Sequence, residues 1–114
     1  MRKIYYKLLI PILFFSTNVS AQEQNRNISY LDTIKQVYQV EVACGECQFK
    51  MKGNSCDLAI RMNGVPYFVD GTKIDDHGDA HAKNGFCNAI RKAQVQGEIK
   101  KGRFVATYFK LLEE

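Results

Sequence analysis

A tight hairpin constrains the fold of this chain more than any other segment does. Apolar residues alternate with polar or small ones from Leu58 to Met62, which is the period of a half-buried β-strand. Asn63-Gly64 follows and suits the positive φ angles of a two-residue turn, so Val65 to Val69 should return as the partner strand. Pro66 cannot donate a ladder hydrogen bond, so the returning strand should lie near a sheet edge or begin there.

Three other stretches have the same period of two and predict further strands. They are Tyr38 to Val42, Val95 to Ile99 and Arg103 to Leu112. Another stretch has four apolar residues at i, i+3, i+4 and i+7, which predicts a helix near Phe86 to Ala93. The order is therefore one strand, a hairpin, a helix and a second hairpin (β-β-β-α-β-β). This order predicts a mainly β, α+β domain: a small five-stranded OB-like barrel or sheet with one helix.

The amino terminus has the pattern of a secretory signal peptide over residues 1–21. Basic residues precede an apolar run from Leu8 to Phe15, and Val19-Ser20-Ala21 supplies small residues at the end. The run is too short to span a bilayer. We therefore expect an exported chain, periplasmic or extracellular, that begins near Gln22 and has no membrane span once the signal is removed.

The remaining chain divides into a flexible lead-in, residues 22–36, and a single β-rich domain, residues 37–114. Three of the 16 basic residues and none of the 12 acidic ones lie in the signal, so the mature chain carries 13 basic and 12 acidic residues. OB-type barrels often bind single strands or sugars, but a nearly neutral exported chain lacks the basic charge that nucleic acid requires. We expect no nucleic-acid partner.

All the cysteines and histidines of the chain lie within one stretch of the domain. They are Cys44, Cys47, Cys56, His77, His81 and Cys87. In a small barrel the strand ends and the start of the helix share a rim. We therefore expect all four sulfurs and at least one imidazole to gather in one region.

The first interpretation of this set is a transition-metal site. Cys44-x2-Cys47 and His77-x3-His81 supply two thiolates and two imidazoles, which zinc binds tetrahedrally, with Cys56 and Cys87 as alternative ligands. The 29 residues between Cys47 and His77 exceed the gap of a short zinc finger, so the fold would have to assemble the site. Thiolate and imidazole ligands together favour zinc or copper.

The second interpretation is a pair of disulfides, because exported proteins normally oxidise their thiols. Four cysteines allow three pairings, and we favour Cys44 with Cys47 and Cys56 with Cys87. The second bridge would tie the predicted helix to the first hairpin strand and contribute roughly 3 kcal/mol. A metal site and one disulfide can coexist if the other pair of thiols stays reduced.

Other chemistries fit the sequence less well. Cys44-Gly45-Glu46-Cys47 lacks the following helix that a thioredoxin-like dithiol uses to activate its first thiol. The acidic loop that contains Asp75, Asp76 and Asp79 does not match EF-hand spacing and is better explained as a solvated loop, although its carboxylates are alternative metal ligands. No nucleophile has a convincing base partner, so the sequence gives no ground for an enzyme.

Five motifs resemble those of small secreted or periplasmic bacterial proteins, of the Bacteroidetes kind, that form a domain of unknown function. The motifs are Cys44-x2-Cys47, Gly53-x2-Cys56-Asp57-Leu58-Ala59, Tyr67-Phe68-Val69-Asp70-Gly71, Asp75-Asp76-His77-Gly78-Asp79-Ala80-His81 and Gly85-Phe86-Cys87-Asn88-Ala89-Ile90-Arg91-Lys92-Ala93. The resemblance covers Val40 to Leu112 and implies no activity.

The sequence thus predicts a small exported binding protein that holds zinc or copper for structure, sequestration or delivery. The alternative is a disulfide-stapled interaction module without metal, which recognises an exported partner through a barrel face. A thiol oxidoreductase is the third and least supported function.

Overall fold

The computed structural model describes Pro11 and residues 28–113. The predicted signal peptide, apart from Pro11, and the start of the predicted lead-in lie outside the described residues. Within the described part, no helix has the length and apolar character to cross a membrane.

Five strands form a closed barrel. The elements in chain order are β1 (Tyr38–Cys44), α1 (Gly45–Gln48), β2 (Leu58–Met62), β3 (Val65–Asp70), a 3₁₀ helix (Ile74–His77), β4 (Arg91–Lys100) and β5 (Arg103–Leu111). The order around the barrel is β1-β2-β3-β5-β4, with β4 returning to pair with β1. Only the β3–β5 pair is parallel among the described strands. The predicted mainly β, OB-like barrel is confirmed.

The hairpin predicted from Leu58 to Val69 is present as β2 and β3. Asn63 and Gly64 have φ angles of 51° and 80°, and Met62 pairs with Val65 directly beside the turn. β3 pairs with β5 only at Val69 and Asp70. Pro66 therefore faces no β5 partner. β3 is not an edge strand of the closed barrel, but it begins at Val65, directly before Pro66, which is the second alternative that the sequence predicted.

The helix predicted at Phe86 to Ala93 is not formed, and this position is corrected. The amides of Asn88 and Ala89 donate to the carbonyl of Gly85, which makes a single turn, and β4 begins at Arg91. Ala93 pairs with Val40 of β1 and Leu111 of β5. The apolar spacing of this segment arises from a turn that inserts Phe86 into the core, followed by a strand that is bonded on both sides. The helical element between β3 and β4 is the 3₁₀ helix.

The barrel has an apolar core of its own. Phe104, Ile60, Val42 and Val95 are at most 1% exposed and come from four different strands. A bulge at Gln96/Gly97 bends β4, and a Cβ on Gly97 would collide with the carbonyl oxygen of Val105. Cys44 is also fully buried in this core, and Cys56 and Cys87 pack against it, so the cysteines cover one end of the barrel core.

Part of the predicted lead-in is bonded to the barrel. The buried side chain of Gln96 accepts from the amide of Asp32 (2.9 Å) and donates to the carbonyls of Asp32 (2.7 Å) and Lys35 (2.9 Å). The amide of Phe109 donates to the carbonyl of Ile28. From Ile28 onward the lead-in is therefore held against β4 and β5.

Candidate metal centre

The four cysteine sulfurs form one cluster. The sulfurs of Cys44, Cys47, Cys56 and Cys87 all lie within 4.8 Å of one another. In a zinc site with Zn–S distances of about 2.3 Å, a regular tetrahedron of sulfurs has edges of about 3.8 Å. If each distance between two sulfurs shortened by at most about 1 Å, the four sulfurs would form a tetrahedral site for one ion. The predicted gathering of the sulfurs is what the structure shows.

The first two sulfurs come from the end of β1 and from α1. Cys44 is fully buried and is the residue on which the four-residue helix begins, so Cys47 returns to the same side one turn later. Gly45 between them has no room for a side chain. A Cβ there would lie 2.7 Å from both Met51 Sδ and Phe68 Cε1. The Cys-Gly-x-Cys segment is therefore packed directly onto the sheet.

The third sulfur belongs to Cys56. Two hydrogen bonds at the next residue, Asp57, hold this part of the chain beside α1. The amide of Gly45 donates to the carbonyl of Asp57 (2.8 Å), and the amide of Asp57 donates to Glu46 Oε1 (3.2 Å). Because Cys56 directly precedes Asp57, these bonds fix the start of β2 against the helical turn. The second carboxylate oxygen of Glu46 is buried and has no hydrogen-bond partner among the described residues.

The fourth sulfur comes from the loop between the 3₁₀ helix and β4. The amide of Cys44 donates to the carbonyl of Phe86 (3.0 Å), and the Gln48 side-chain amide donates to the carbonyl of Cys87 (2.8 Å). The amide of Cys87 donates to the carbonyl of Ala80 (3.0 Å). The first two bonds join the loop to β1 and α1, and the third lies within the loop, so Cys87 is positioned by bonds that use no sulfur.

Gly85 is required for the loop to pass this close to itself. A Cβ at Gly85 would collide with the carbonyl oxygens of Asp79 and Ala80. Those two carbonyls accept from the amides of Ala82 and Cys87 respectively. The absent side chain thus lets the loop fold back on itself and present Cys87 to the other cysteines.

The thiols differ in how readily they ionise. Burial raises the pKa of Cys44, but hydrogen bonds to its sulfur from the Cys56 thiol and from the backbone and thiol of Cys47 outweigh burial, so its pKa is lowered. The bond that Cys47 donates to Cys44 raises the pKa of Cys47 to about 11. Burial, together with the bond to Cys44, raises the pKa of Cys56. Cys44 therefore ionises more readily than Cys47 and Cys56, because both neighbours donate hydrogen bonds to its sulfur.

The two predicted disulfides are not formed. All four cysteines are free, including the favoured pairs Cys44 with Cys47 and Cys56 with Cys87. The hydrogen bonds among the thiols take the place of covalent bonds.

The histidines lie outside the sulfur cluster. The His77 ring is 4.4 Å from the Phe109 ring and 6.1 Å from the Phe86 ring, measured between centroids, and its Nε2 is 2.8 Å from Thr72 Oγ1. His81 is exposed, and its backbone amide donates to Asp79 Oδ1. The structure thus brings the four predicted sulfur ligands together and leaves both predicted imidazole ligands out.

The carboxylates of the acidic loop form local hydrogen bonds. Asp76 Oδ2 accepts from the amide of Lys73 (2.8 Å) and from Thr72 Oγ1 (3.1 Å) at the start of the 3₁₀ helix. The bond from the Lys73 amide is the main cause of the lowered pKa of Asp76. Asp75 is exposed, and none of the three predicted carboxylate ligands belongs to the sulfur cluster.

Two residues that support the cluster were missed in the sequence. They are Gln48 and Glu46, neither of which the sequence pattern marks as a site residue. Both support the cluster through hydrogen bonds to backbone groups at residues 57 and 87, which are distant in sequence. Long-range bonds of this kind leave no periodic or spacing signal.

The position of His77 predicts a pH-dependent stability. Burial lowers the pKa of His77, against the opposing charge of Asp76. Above about pH 6.5 the imidazole is neutral in both the folded and the unfolded chain, and its contribution to stability is complete. As the pH falls below that value, the unfolded chain takes up a proton before the folded one, so the free energy of unfolding should decrease until the lowered folded pKa is reached.

Urea unfolding of the zinc-free protein between pH 7.5 and 5 measures this effect. The variant His77→Gln should show a smaller decrease in the free energy of unfolding over that range. His81→Gln, which changes an exposed ring, is the matched control and should retain the wild-type slope. Equal slopes for His77→Gln and the wild type would contradict the assignment.

A comparison with protein families gives a match over the barrel and the sulfur cluster. Residues 38–112 match the model of a family of unknown function, DUF6370. The chain belongs to the DUF6370 family. The DUF6370 match contains the whole barrel, all four cysteines and both histidines, and nearly coincides with the range of the resemblance noted in the sequence. No curated protein and no solved structure matches the chain.

Proposed function

We propose that this DUF6370 protein is an exported binding protein that holds one thiophilic metal ion, zinc or copper(I), in its four-cysteine cluster. The observation that carries the proposal is the mutual distance of at most 4.8 Å among four unbonded sulfurs. A tetrahedral set of four thiolates suits zinc, and soft thiolate ligands also select copper(I). The histidines are not needed as ligands.

The hydrogen bonds around the cluster support metal binding. The cysteines come from three segments of the chain, and hydrogen bonds to backbone groups of Cys44, Asp57 and Cys87 hold these segments together. An ion entering the cluster therefore needs to displace protons, but it need not fold the chain around itself. The carboxylate of Glu46, whose Oε2 has no hydrogen-bond partner within residues 28–113, adds a negative charge near Cys44 that a cation would offset.

The role of the ion is sequestration or delivery, with local structure as a secondary effect. The barrel buries its own apolar core at Val42, Ile60, Val95 and Phe104, so the fold does not depend on the ion as a zinc finger does. Export rests on the charged start, apolar run and small residues of positions 1–21. Amino-terminal sequencing of protein recovered from the periplasm or medium should begin near Gln22.

Native mass spectrometry tests the metal proposal. Protein purified without oxygen should bind one zinc or one copper(I) ion per chain, and competition between the two ions should rank them. The double variant His77→Gln/His81→Gln should bind as well as the wild type, whereas Cys44→Ser should not.

The same mass spectra would also reveal the alternative, in which the cysteines form disulfides and bind no ion. If the exported protein is recovered with its mass reduced by two protons per bridge and takes up no ion, the metal proposal fails. The disulfide-stapled interaction module would then be supported.

A further inference from the structure

The four sulfurs are unequally accessible. Cys44 is fully buried at the end of β1, Cys56 and Cys87 are half-buried, and Cys47 is exposed. An ion in the centre of the cluster would therefore be shielded on three sides and reachable from the side of Cys47. Structural zinc sites are closed, whereas sites that exchange a ligand keep one position accessible.

The same cysteine is also the one least fixed by its surroundings. The amide of Cys44 donates to the carbonyl of Phe86, and the carbonyl of Cys87 accepts from the Gln48 side chain, so both are bonded to other segments. Cys56 precedes the doubly bonded Asp57. Within residues 28–113, the backbone of Cys47 is bonded to no other segment of the chain, and its amide donates to the sulfur of Cys44 one turn back. Its backbone can therefore shift without breaking a backbone hydrogen bond between segments, and its sulfur is tied to the cluster by the thiols alone.

We propose that Cys47 is the exchangeable ligand of the cluster, and that the protein transfers its ion to a thiol-bearing acceptor, such as a peptide with two cysteines. This inference rests on the proposed function. The acceptor is expected to carry thiols because an ion held by four thiolates is given up most readily to ligands of the same softness.

The exchange is balanced without any oxidant or reductant. The sulfur of the acceptor thiol forms a bond to the ion, the bond between the ion and Cys47 breaks, and the proton of the acceptor thiol is transferred to the Cys47 sulfur. The ion keeps its oxidation state and is held by Cys44, Cys56, Cys87 and the acceptor. Further exchanges of the same kind complete the transfer.

Alkylation of the zinc-loaded protein provides the first test. N-ethylmaleimide should label Cys47 before any other cysteine, as determined by peptide mapping at successive times. Labelling of Cys56 or Cys87 before Cys47, or equal labelling of all four, would overturn the assignment.

Transfer kinetics provide the second test. Zinc-loaded wild type, Cys47→Ser and Cys87→Ser are mixed with a synthetic dithiol peptide, and the appearance of the zinc-peptide complex is measured. The two variants are matched because each removes one thiolate. Cys47→Ser has already lost the ligand that must leave first, so it should transfer zinc roughly tenfold faster than Cys87→Ser, in which Cys47 must still be displaced.

The outcomes separate the two proposals. If the wild type binds no zinc, the proposed function fails and the inference fails with it. If the wild type binds zinc but Cys47→Ser and Cys87→Ser transfer it at equal rates, only the inference is overturned. Native mass spectra of the zinc-loaded wild type with a single-cysteine peptide should in addition show a complex of protein, zinc and peptide. The zinc-free wild type should show no complex with the peptide.

Discussion

Zinc should raise the free energy of unfolding of this protein by about 4 kcal/mol when free zinc is held at a thousand times its dissociation constant. In the proposed site the ion would bind the folded cluster and find few organised ligands in the unfolded chain, so its binding free energy would add to the stability of the fold. The measurement is urea unfolding under reducing, oxygen-free conditions at a fixed free-zinc concentration, repeated with a chelator in excess.

Two variants serve as controls for this expectation. Cys44→Ser removes the buried sulfur that accepts hydrogen bonds from Cys47 and Cys56, and should show no gain from zinc. His77→Gln/His81→Gln leaves all four sulfurs in place and should gain as much as the wild type. A gain retained in Cys44→Ser, or lost in the histidine variant, would show that the ion binds elsewhere.

The β-structure of this protein could be predicted because its signals are local. Asn63-Gly64 defines the turn of the hairpin through the φ angles of two adjacent residues, and alternation of side chains identifies each strand. The order of strands and turns was then enough to predict an OB-like barrel. None of these steps requires knowing which residues meet across the molecule.

The misplaced helix shows where such local signals fail. The segment from Phe86 to Ala93 has a helical apolar spacing, but the β4 part of it is bonded to β1 and β5 on its two sides. Ile90, which the helix would have placed on its apolar face, is 36% exposed. Tertiary pairing therefore determined the structure of this segment, and a single-sequence pattern contains no information about that pairing.

The candidate site was predictable in part for the same reason. Strand ends meet at a barrel rim, so the convergence of the cysteines followed from the fold. The side-chain direction of His77 did not, because it depends on the space between Phe86 and Phe109 and on Thr72. A His-x3-His spacing is equally compatible with a ligand pair and with one packed and one exposed ring.

Replacing Gln96 with leucine should lower the free energy of unfolding by about 2–4 kcal/mol. The side chain is 1% exposed and makes three hydrogen bonds to the backbone of Asp32 and Lys35. Each such bond contributes about 1 kcal/mol, and the buried groups left without partners add a desolvation cost. Leucine has a similar volume, so the loss should come from the hydrogen bonds and little from packing. Urea unfolding of the zinc-free protein measures the change.

Limited proteolysis distinguishes loss of the lead-in from general destabilisation. In Gln96→Leu, trypsin should cleave after Lys35 under conditions in which the wild type is protected, because Gln96 no longer holds that carbonyl. Gln94→Leu is the matched control: it is half-buried on the same strand, and its side chain makes no hydrogen bond within residues 28–113. It should change stability by less than about 0.5 kcal/mol and leave Lys35 protected. If both variants were equally destabilised and equally cleaved, Gln96 would be acting through the packing of β4, and the lead-in would be held by Ile28 and Phe109 alone.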